Sequence, residues 1–222
     1  MRKVFRTRDE VVKFWSRYSK ESDVREGIQE YYTTKQIYDK IVKASNPTKD
    51  SLILDVGCGW GRIARQFVED GCNRVIGVDL TYDLLESFRK DGFLIPLINA
   101  DAVSLPLRSF AFDLVYAVRV LQYFDDFRPV LKELVRVLRM NGKLVVVQPN
   151  PMNPYRKINY HTKLIPPTSV IESFKSLGLQ NVDIEYFGFS FPQFHLPFLE
   201  YIGAVPFLKR MGGFYLVKGE VL

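Results

Sequence analysis

Leu52-Ile53-Leu54-Asp55-Val56-Gly57-Cys58-Gly59-Trp60-Gly61 is a short apolar run that ends in an acid and then places a glycine at every second position. The run is too short for a helix of its own and reads as a buried strand. The glycines predict a tight turn where a ligand approaches the backbone, because a side chain there obstructs it. Ile63, Ala64, Phe67 and Val68 follow at helical spacing. Strand, glycine turn and helix in succession present unpaired N–H groups at a helix N-terminus to a polar or anionic ligand group.

Two ligand classes suit such a turn. Dinucleotide sites want G-x-G-x-x-G, the last glycine serving helix–strand packing. Here the spacing is G-x-G-x-G, and Arg62 occupies the dinucleotide position. A second apolar run, Arg74 to Leu80, ends at Asp79, where a carboxylate can accept from both hydroxyls of a ribose. A nicotinamide site also uses an acid there, so Asp79 alone does not discriminate. A third strand is expected over about Leu94 to Asn99, leading to Ala100-Asp101-Ala102. A fourth is expected over Phe110 to Ala117, followed by Val120-Leu121-Gln122-Tyr123-Phe124. A helix then follows, ending in the stretch Glu133 to Lys143, with a fifth strand at Leu144 to Val147.

Asp55 two residues ahead of G-x-G-x-G resembles motif I of the class I S-adenosylmethionine-dependent methyltransferases. The succession after it, with Arg136-Val137-Leu138 and Gly142-Lys143-Leu144, resembles the ubiquinone/menaquinone-biosynthesis type of small-molecule methyltransferase. The resemblance is close over about residues 50 to 150. It implies an α/β, Rossmann-like seven-stranded sheet in the order 3-2-1-4-5-7-6, the last strand antiparallel, with helices on both faces. It implies that the backbone at Gly57, Cys58, Gly59 and Gly61 holds the methionine moiety and that Asp55 lies near its ammonium. Asp79 would bind ribose, Leu80 pack on adenine, Asp101 accept from adenine N6 with Ala102 beside it, and Arg119 border the cofactor. Gln122 and Tyr123 stand where the family often has histidines, which puts histidine chemistry there in doubt. Asn141-Gly142 replaces a frequent Pro-Gly, a harmless change because both residues tolerate left-handed backbone.

A chain of 222 residues, 47% hydrophobic, suits one α/β domain with decoration. Cys58 and Cys72 form no disulfide framework and point to a reducing, cytoplasmic setting. The N-terminus lacks the apolar stretch of a signal peptide. The formal charge is +6, and residues 1–50 hold 12 basic against 8 acidic side chains, Arg2, Lys3, Arg6 and Arg8 leading. Such an arm attracts nucleic acid, anionic lipid or an acidic substrate, or is simply a solvated tail.

Residues 1–50 read as a helical cap ahead of a methyltransferase domain over 51–222. Thr7 and Glu10 have capping-box spacing before Val11, Val12, Phe14 and Trp15. A second helical pattern runs from Ile28 to a stop at Asn46-Pro47. The resemblance implies a cap laid over cofactor and acceptor, in which Tyr18, Tyr31 and Tyr32 line the site; the alternative is that they pack the helices onto the domain. Beyond residue 150, Thr168 to Leu177 reads as a helix, Val182 to Phe187 as a strand and Gly213 to Val221 as the last strand. Between them, Phe187 to Leu208 is rich in phenylalanine and broken by Pro192, Pro197 and Pro206, so it does not form a continuous spanning helix. It packs on the core, walls an apolar acceptor pocket, or meets a partner subunit or membrane.

S-adenosylmethionine carries an already activated methyl and leaves S-adenosylhomocysteine. The enzyme's main task is therefore positioning, with no metal required. The expected acceptor is small or apolar and lipid-like, such as a quinone or polyprenyl compound. Candidate bases are His161, His195, Tyr123 and Tyr160. Gln122 and Tyr123, with Tyr31 and Tyr32, are candidate acceptor contacts. Arg119, at the end of the fourth strand, either holds an oxygen-bearing acceptor or pairs with Asp125 or Asp126. An RNA methyltransferase, a nicotinamide oxidoreductase and a non-catalytic cofactor-binding protein are the alternatives, with monomer and dimer both open.

Overall fold

The computed structural model describes residues 7–20, 28–153, 163–188 and 210–222, of which 18–20 and 28–32 are described by backbone alone. Seven strands form one sheet: β1 (Ile53–Val56), β2 (Val75–Asp79), β3 (Leu97–Asn99), β4 (Phe112–Val118), β5 (Leu138–Pro149), β6 (Gln180–Phe187) and β7 (Phe214–Glu220). Their spatial order is β3-β2-β1-β4-β5-β7-β6. β1 to β5 run parallel, and β7 enters antiparallel between β5 and β6, with Val146 opposite Val217. The order expected from the family resemblance is the order observed. It reverses between β1 and β4, and the crevice beyond the carboxyl ends of those two strands is where α/β sheets take ligands.

The period-two alternation of strand side chains sorts the core into two layers. Leu54, Val56, Val115, Ala117, Leu144 and Val146 face α5 (Arg128–Val137) and α6 (Pro167–Ser176). Ile53, Leu114, Tyr116, Val145 and Val147 face α2 (Ile28–Ser45) and α3 (Arg62–Glu69), and Phe88 of α4 (Tyr82–Lys90) joins them. The central strands are apolar on both faces because both faces are covered.

The two N-terminal helices, expected as one cap, divide their work. Ile37, Tyr38 and Ile41 of α2 are buried in the second core layer, so α2 covers the sheet; fully burying an aliphatic side chain such as Ile41 stabilises by about 2 kcal/mol. α1 (Arg8–Lys20) lies against α4 and reaches the crevice. Its first turn is capped as expected on one side, with the Glu10 N–H donating to Thr7 Oγ1 at 3.3 Å.

β3 begins three residues later than expected. Leu94 is 96% exposed, and Pro96 has no N–H to give a ladder, although its carbonyl accepts from the Gly77 N–H at 2.9 Å. β4 likewise begins after Phe110, whose backbone is left-handed (φ 57°). Of the phenylalanine-rich stretch, Phe187 is buried and stacked on Phe214 at 5.7 Å, Gly188 follows, and 189–208 lies outside the described residues. No helix among the described residues is long and apolar enough to cross a membrane.

Candidate cofactor and acceptor site

A cavity of about 300 Å³ opens at the carboxyl ends of β1, β2 and β4. Its floor is the glycine turn. Gly57 and Gly61 both adopt left-handed backbone, φ 74° and 82°. A Cβ at Gly57 would collide with Val120, and one at Gly61 with the ring of Phe88. At these two positions the absent side chain serves the protein's own packing as well as the ligand's approach. The turn is held from below: Gly57 and Cys58 N–H groups both donate to the Val78 carbonyl, at 2.7 and 3.0 Å.

Asp79 ends β2 and ties the turn to the next loop. One of its carboxylate oxygens accepts from the Gly59 N–H and the other from the Thr81 N–H, each at 2.8 Å. Burial raises its pKa, and those backbone donors oppose the rise. Each oxygen keeps a second lone pair, so the geometry suits two ribose hydroxyls. Asn99, which the sequence reading passed over, donates from one amide to the carbonyls of Asp79 and Leu80, at 3.0 and 2.9 Å. Asp101 also borders the cavity; one of its oxygens accepts from the Val103 N–H at 3.1 Å and the other holds Arg8.

Asp55 lies beneath the turn, 3% exposed, beside its β4 register partner Tyr116. Burial pushes its carboxyl up to about 7; the nearby Asp79 adds to the rise and Arg62 opposes it. A carboxylate in that position is suited to a cationic partner such as an ammonium. Asp79, Leu80, Asp101, Ala102 and the Gly57–Gly61 turn, with Asp55 beside it, are thus gathered at one crevice, as expected of a site for S-adenosylmethionine.

The structure brings all ten expected cofactor residues to this end of the sheet. Asp55 and Gly61 are the two absent from the cavity wall, one beneath the turn and the other closing it. Among the expected acceptor contacts, Tyr123 lines the cavity and Gln122 does not; it is buried, and both atoms of its side-chain amide lack a hydrogen-bond partner. Tyr31 and Tyr32 belong to α2 and Tyr18 to α1, but their side chains lie outside the described residues, as do His161, His195 and Tyr160 entirely. Arg119 lines the cavity with a left-handed backbone, φ 61°, its N–H donating to the Val147 carbonyl at 2.8 Å. Asp126, one of its two possible partners, instead forms a forked pair with Arg128, at 2.7 and 2.9 Å.

Of the aromatic wall, the sequence pointed to Tyr123 alone. Trp60 of the turn, Trp15 of α1, Tyr123 and Phe124 surround the opening, Trp15 lying 6.4 Å from Trp60 and edge-on to Tyr123 at 6.3 Å. Arg62 lines the same wall and donates to Thr34 Oγ1 at 3.2 Å. Trp60 inside the glycine motif was the available signal for one tryptophan, and the helical cap implied by the family resemblance was the signal for Trp15.

Residues 54–146 match the family model described as "Methyltransferase domain". A malonyl-[acyl-carrier protein] O-methyltransferase of Enterobacter lignolyticus is 29% identical over 176 residues, which are 76% of this chain and 67% of that enzyme. The enzyme of the same name from Hamiltonella defensa is 30% identical over 111 residues, 50% of this chain and 43% of its own length. The solved structure of a Thermotoga maritima S-adenosylmethionine-dependent methyltransferase, described as a possible histamine N-methyltransferase, superposes with a TM-score of 0.69. It covers 94% of this chain and 98% of that one at 18% identity, a likeness of fold.

Proposed function

We propose that this chain is a class I S-adenosylmethionine-dependent methyltransferase whose acceptor is a carboxylate carried on a small, largely apolar body. Arg119 carries the proposal. A left-handed non-glycine residue costs about 1–2 kcal/mol, and here the strain sits at the switch point of the sheet in a residue that lines the cavity. A guanidinium there is shaped to hold a carboxylate by two parallel hydrogen bonds.

The cofactor, when bound, supplies a methyl on a positively charged sulfur. The residues around it have to bind, orient and exclude water. A carboxylate is already ionised near neutral pH and needs no base. That matches the described wall, which includes no histidine and no lysine, while Asp79 and Asp101 are engaged by backbone donors and Arg8. Trp15, Trp60, Tyr123 and Phe124 offer the apolar surface for the acceptor's body. Both relatives named above are O-methyltransferases by name, which supports oxygen as the atom methylated.

The RNA alternative rested on the basic arm. Arg8 of that arm turns into the cavity, and Arg2, Lys3 and Arg6 lie outside the described residues. The proposed compartment is the cytoplasm, on the strength of two free, buried cysteines. The test is to incubate the protein with S-adenosylmethionine and mono- and dicarboxylic acids of graded chain length, free and as thioesters, and to follow methyl transfer by mass spectrometry. A base-labile methyl ester is expected. Methylation only of amines or phenols, giving base-stable products, would overturn the carboxylate acceptor.

A further inference from the structure

Arg8 and Asp101 meet inside the cofactor cavity, although 93 positions separate them in the chain. The Arg8 guanidinium also lies 5.4 Å over the ring of Phe124, next to the acceptor end of the wall. Around the opening, the described wall sets Arg8, Arg62 and Arg119 against Asp79 and Asp101. The Asp101 oxygen that holds Arg8 is not the one that accepts from the Val103 N–H.

We infer that Arg8 is an acceptor-binding residue that Asp101 holds in reserve until the cofactor arrives. The adenine amine takes the carboxylate oxygen. The displaced guanidinium, still over Phe124, is then available to the acceptor's carboxylate beside Arg119. The exchange is easy, because a half-exposed ion pair is a weak tie. It also moves a positive charge away from the cationic cofactor and towards an anionic acceptor, so the cofactor binds first and the acceptor second. Arg8 has this role only if the acceptor is the carboxylate proposed above.

The two tryptophans of the chain, Trp15 on α1 and Trp60 on the glycine turn, both stand at this site, so intrinsic fluorescence follows α1 as ligands bind. The experiment titrates the wild type, Arg8→Gln and Asp101→Asn with S-adenosylhomocysteine by fluorescence. It then titrates each with octanoate by calorimetry, with and without S-adenosylhomocysteine. Octanoate supplies a carboxylate on an apolar tail, and octylamine is the cationic control. Arg8→Gln is expected to bind S-adenosylhomocysteine about three-fold more tightly, having lost the competing ion pair. In the wild type, S-adenosylhomocysteine is expected to strengthen octanoate binding about ten-fold; Arg8→Gln loses that gain, and Asp101→Asn shows it without the nucleotide. Unchanged or weaker nucleotide binding by Arg8→Gln overturns the reserve role, as does an octanoate gain that survives in that variant. Binding of octylamine in place of octanoate overturns the carboxylate acceptor and Arg8's part in holding it, while the nucleotide titration still reports separately on the Arg8–Asp101 exchange.

Discussion

At the carboxyl ends of β2 and β3 the polar side chains are tied into the backbone; at those of β4 and β5 two of them are not. Asp79 is held by Gly59 and Thr81, Asp101 by Val103, and Asn99 clamps the carbonyls of residues 79 and 80. Across the switch point, the side-chain amides of Gln122 and Gln148 are buried without a hydrogen-bond partner, and Arg119 carries a strained backbone. The cofactor half is therefore preorganised by the protein itself, and its groups keep their positions with little reorganisation on binding. Neither amide lines the cavity, so this unused hydrogen-bonding capacity is a cost carried inside the fold and not a contact offered to the acceptor.

The largest test of that rigidity is at Gly61. Gly61→Val puts a β-branched side chain at φ 82° and drives it into Phe88, combining backbone strain with overpacking. The expected loss is about 4 kcal/mol, read from the midpoint of urea unfolding. Gly59→Ala is the control. Its Cβ would meet only Leu84 Cδ1, at 3.9 Å, leaving backbone strain at φ 54° as the whole cost, about 1 kcal/mol. Equal losses at the two positions would mean that Phe88 moves aside and that the turn is less rigid than its contacts imply.

Next comes Asp79→Ala. Two charge-assisted hydrogen bonds to a ribose, with a glycine turn positioned by the same carboxylate, correspond to a loss of about 100-fold in cofactor affinity by calorimetry. An unchanged affinity would remove the ribose assignment and with it the claim that this half is built for the nucleoside.

These groups were legible because spacing dictates them. An acid at a strand end and glycines at every second position form a local pattern, and local patterns survive folding. The place of α1 was legible only through the family resemblance, which implies a cap over the site: periodicity gives a helix and an apolar stripe but not the surface it meets, so Trp15 and Arg8 were not singled out as cavity residues. β3 was overread because Leu94 and Ile95 look like strand, while Pro96 supplies no N–H to start a ladder there. Asn99 was missed because an asparagine that clamps two carbonyls looks, in sequence, like any polar residue at the end of a strand.

Asp55 makes the cofactor half sensitive to pH. Its folded carboxyl, near 7, lies above the ordinary value of 3.8, so the free protein holds the proton more firmly folded than unfolded. The free protein's stability from this group is fully present below 3.8 and is lost as pH rises towards 7. An ammonium beside Asp55 favours the ionised form. Cofactor affinity is therefore expected to rise about ten-fold between about pH 5 and 7 and then to level off. Calorimetry across that interval checks it, with Asp55→Asn expected to flatten the profile. A profile of the same slope in that variant would place the titrating group elsewhere.

The smallest expected effect probes the other half, where Gln148 and Asn150 leave β5 two residues apart. Both are fully buried. Asn150 donates to the carbonyls of Arg210 and Gly212, at 2.8 and 2.7 Å, and accepts from the Met152 N–H at 3.0 Å, so its amide holds the last loop to the sheet. Gln148 stands opposite Tyr215 and has none of these partners. Removing a satisfied amide strands the groups it served, whereas removing an unsatisfied one removes only a desolvation cost. Asn150→Leu is therefore expected to lower stability by about 2–3 kcal/mol. Gln148→Met, close in shape, is expected to raise it by about 1 kcal/mol in the same unfolding assay. A Gln148→Met protein less stable than the wild type would mean that Gln148 is satisfied in solution, and the contrast between the two halves would then rest on Gln122 and Arg119 alone.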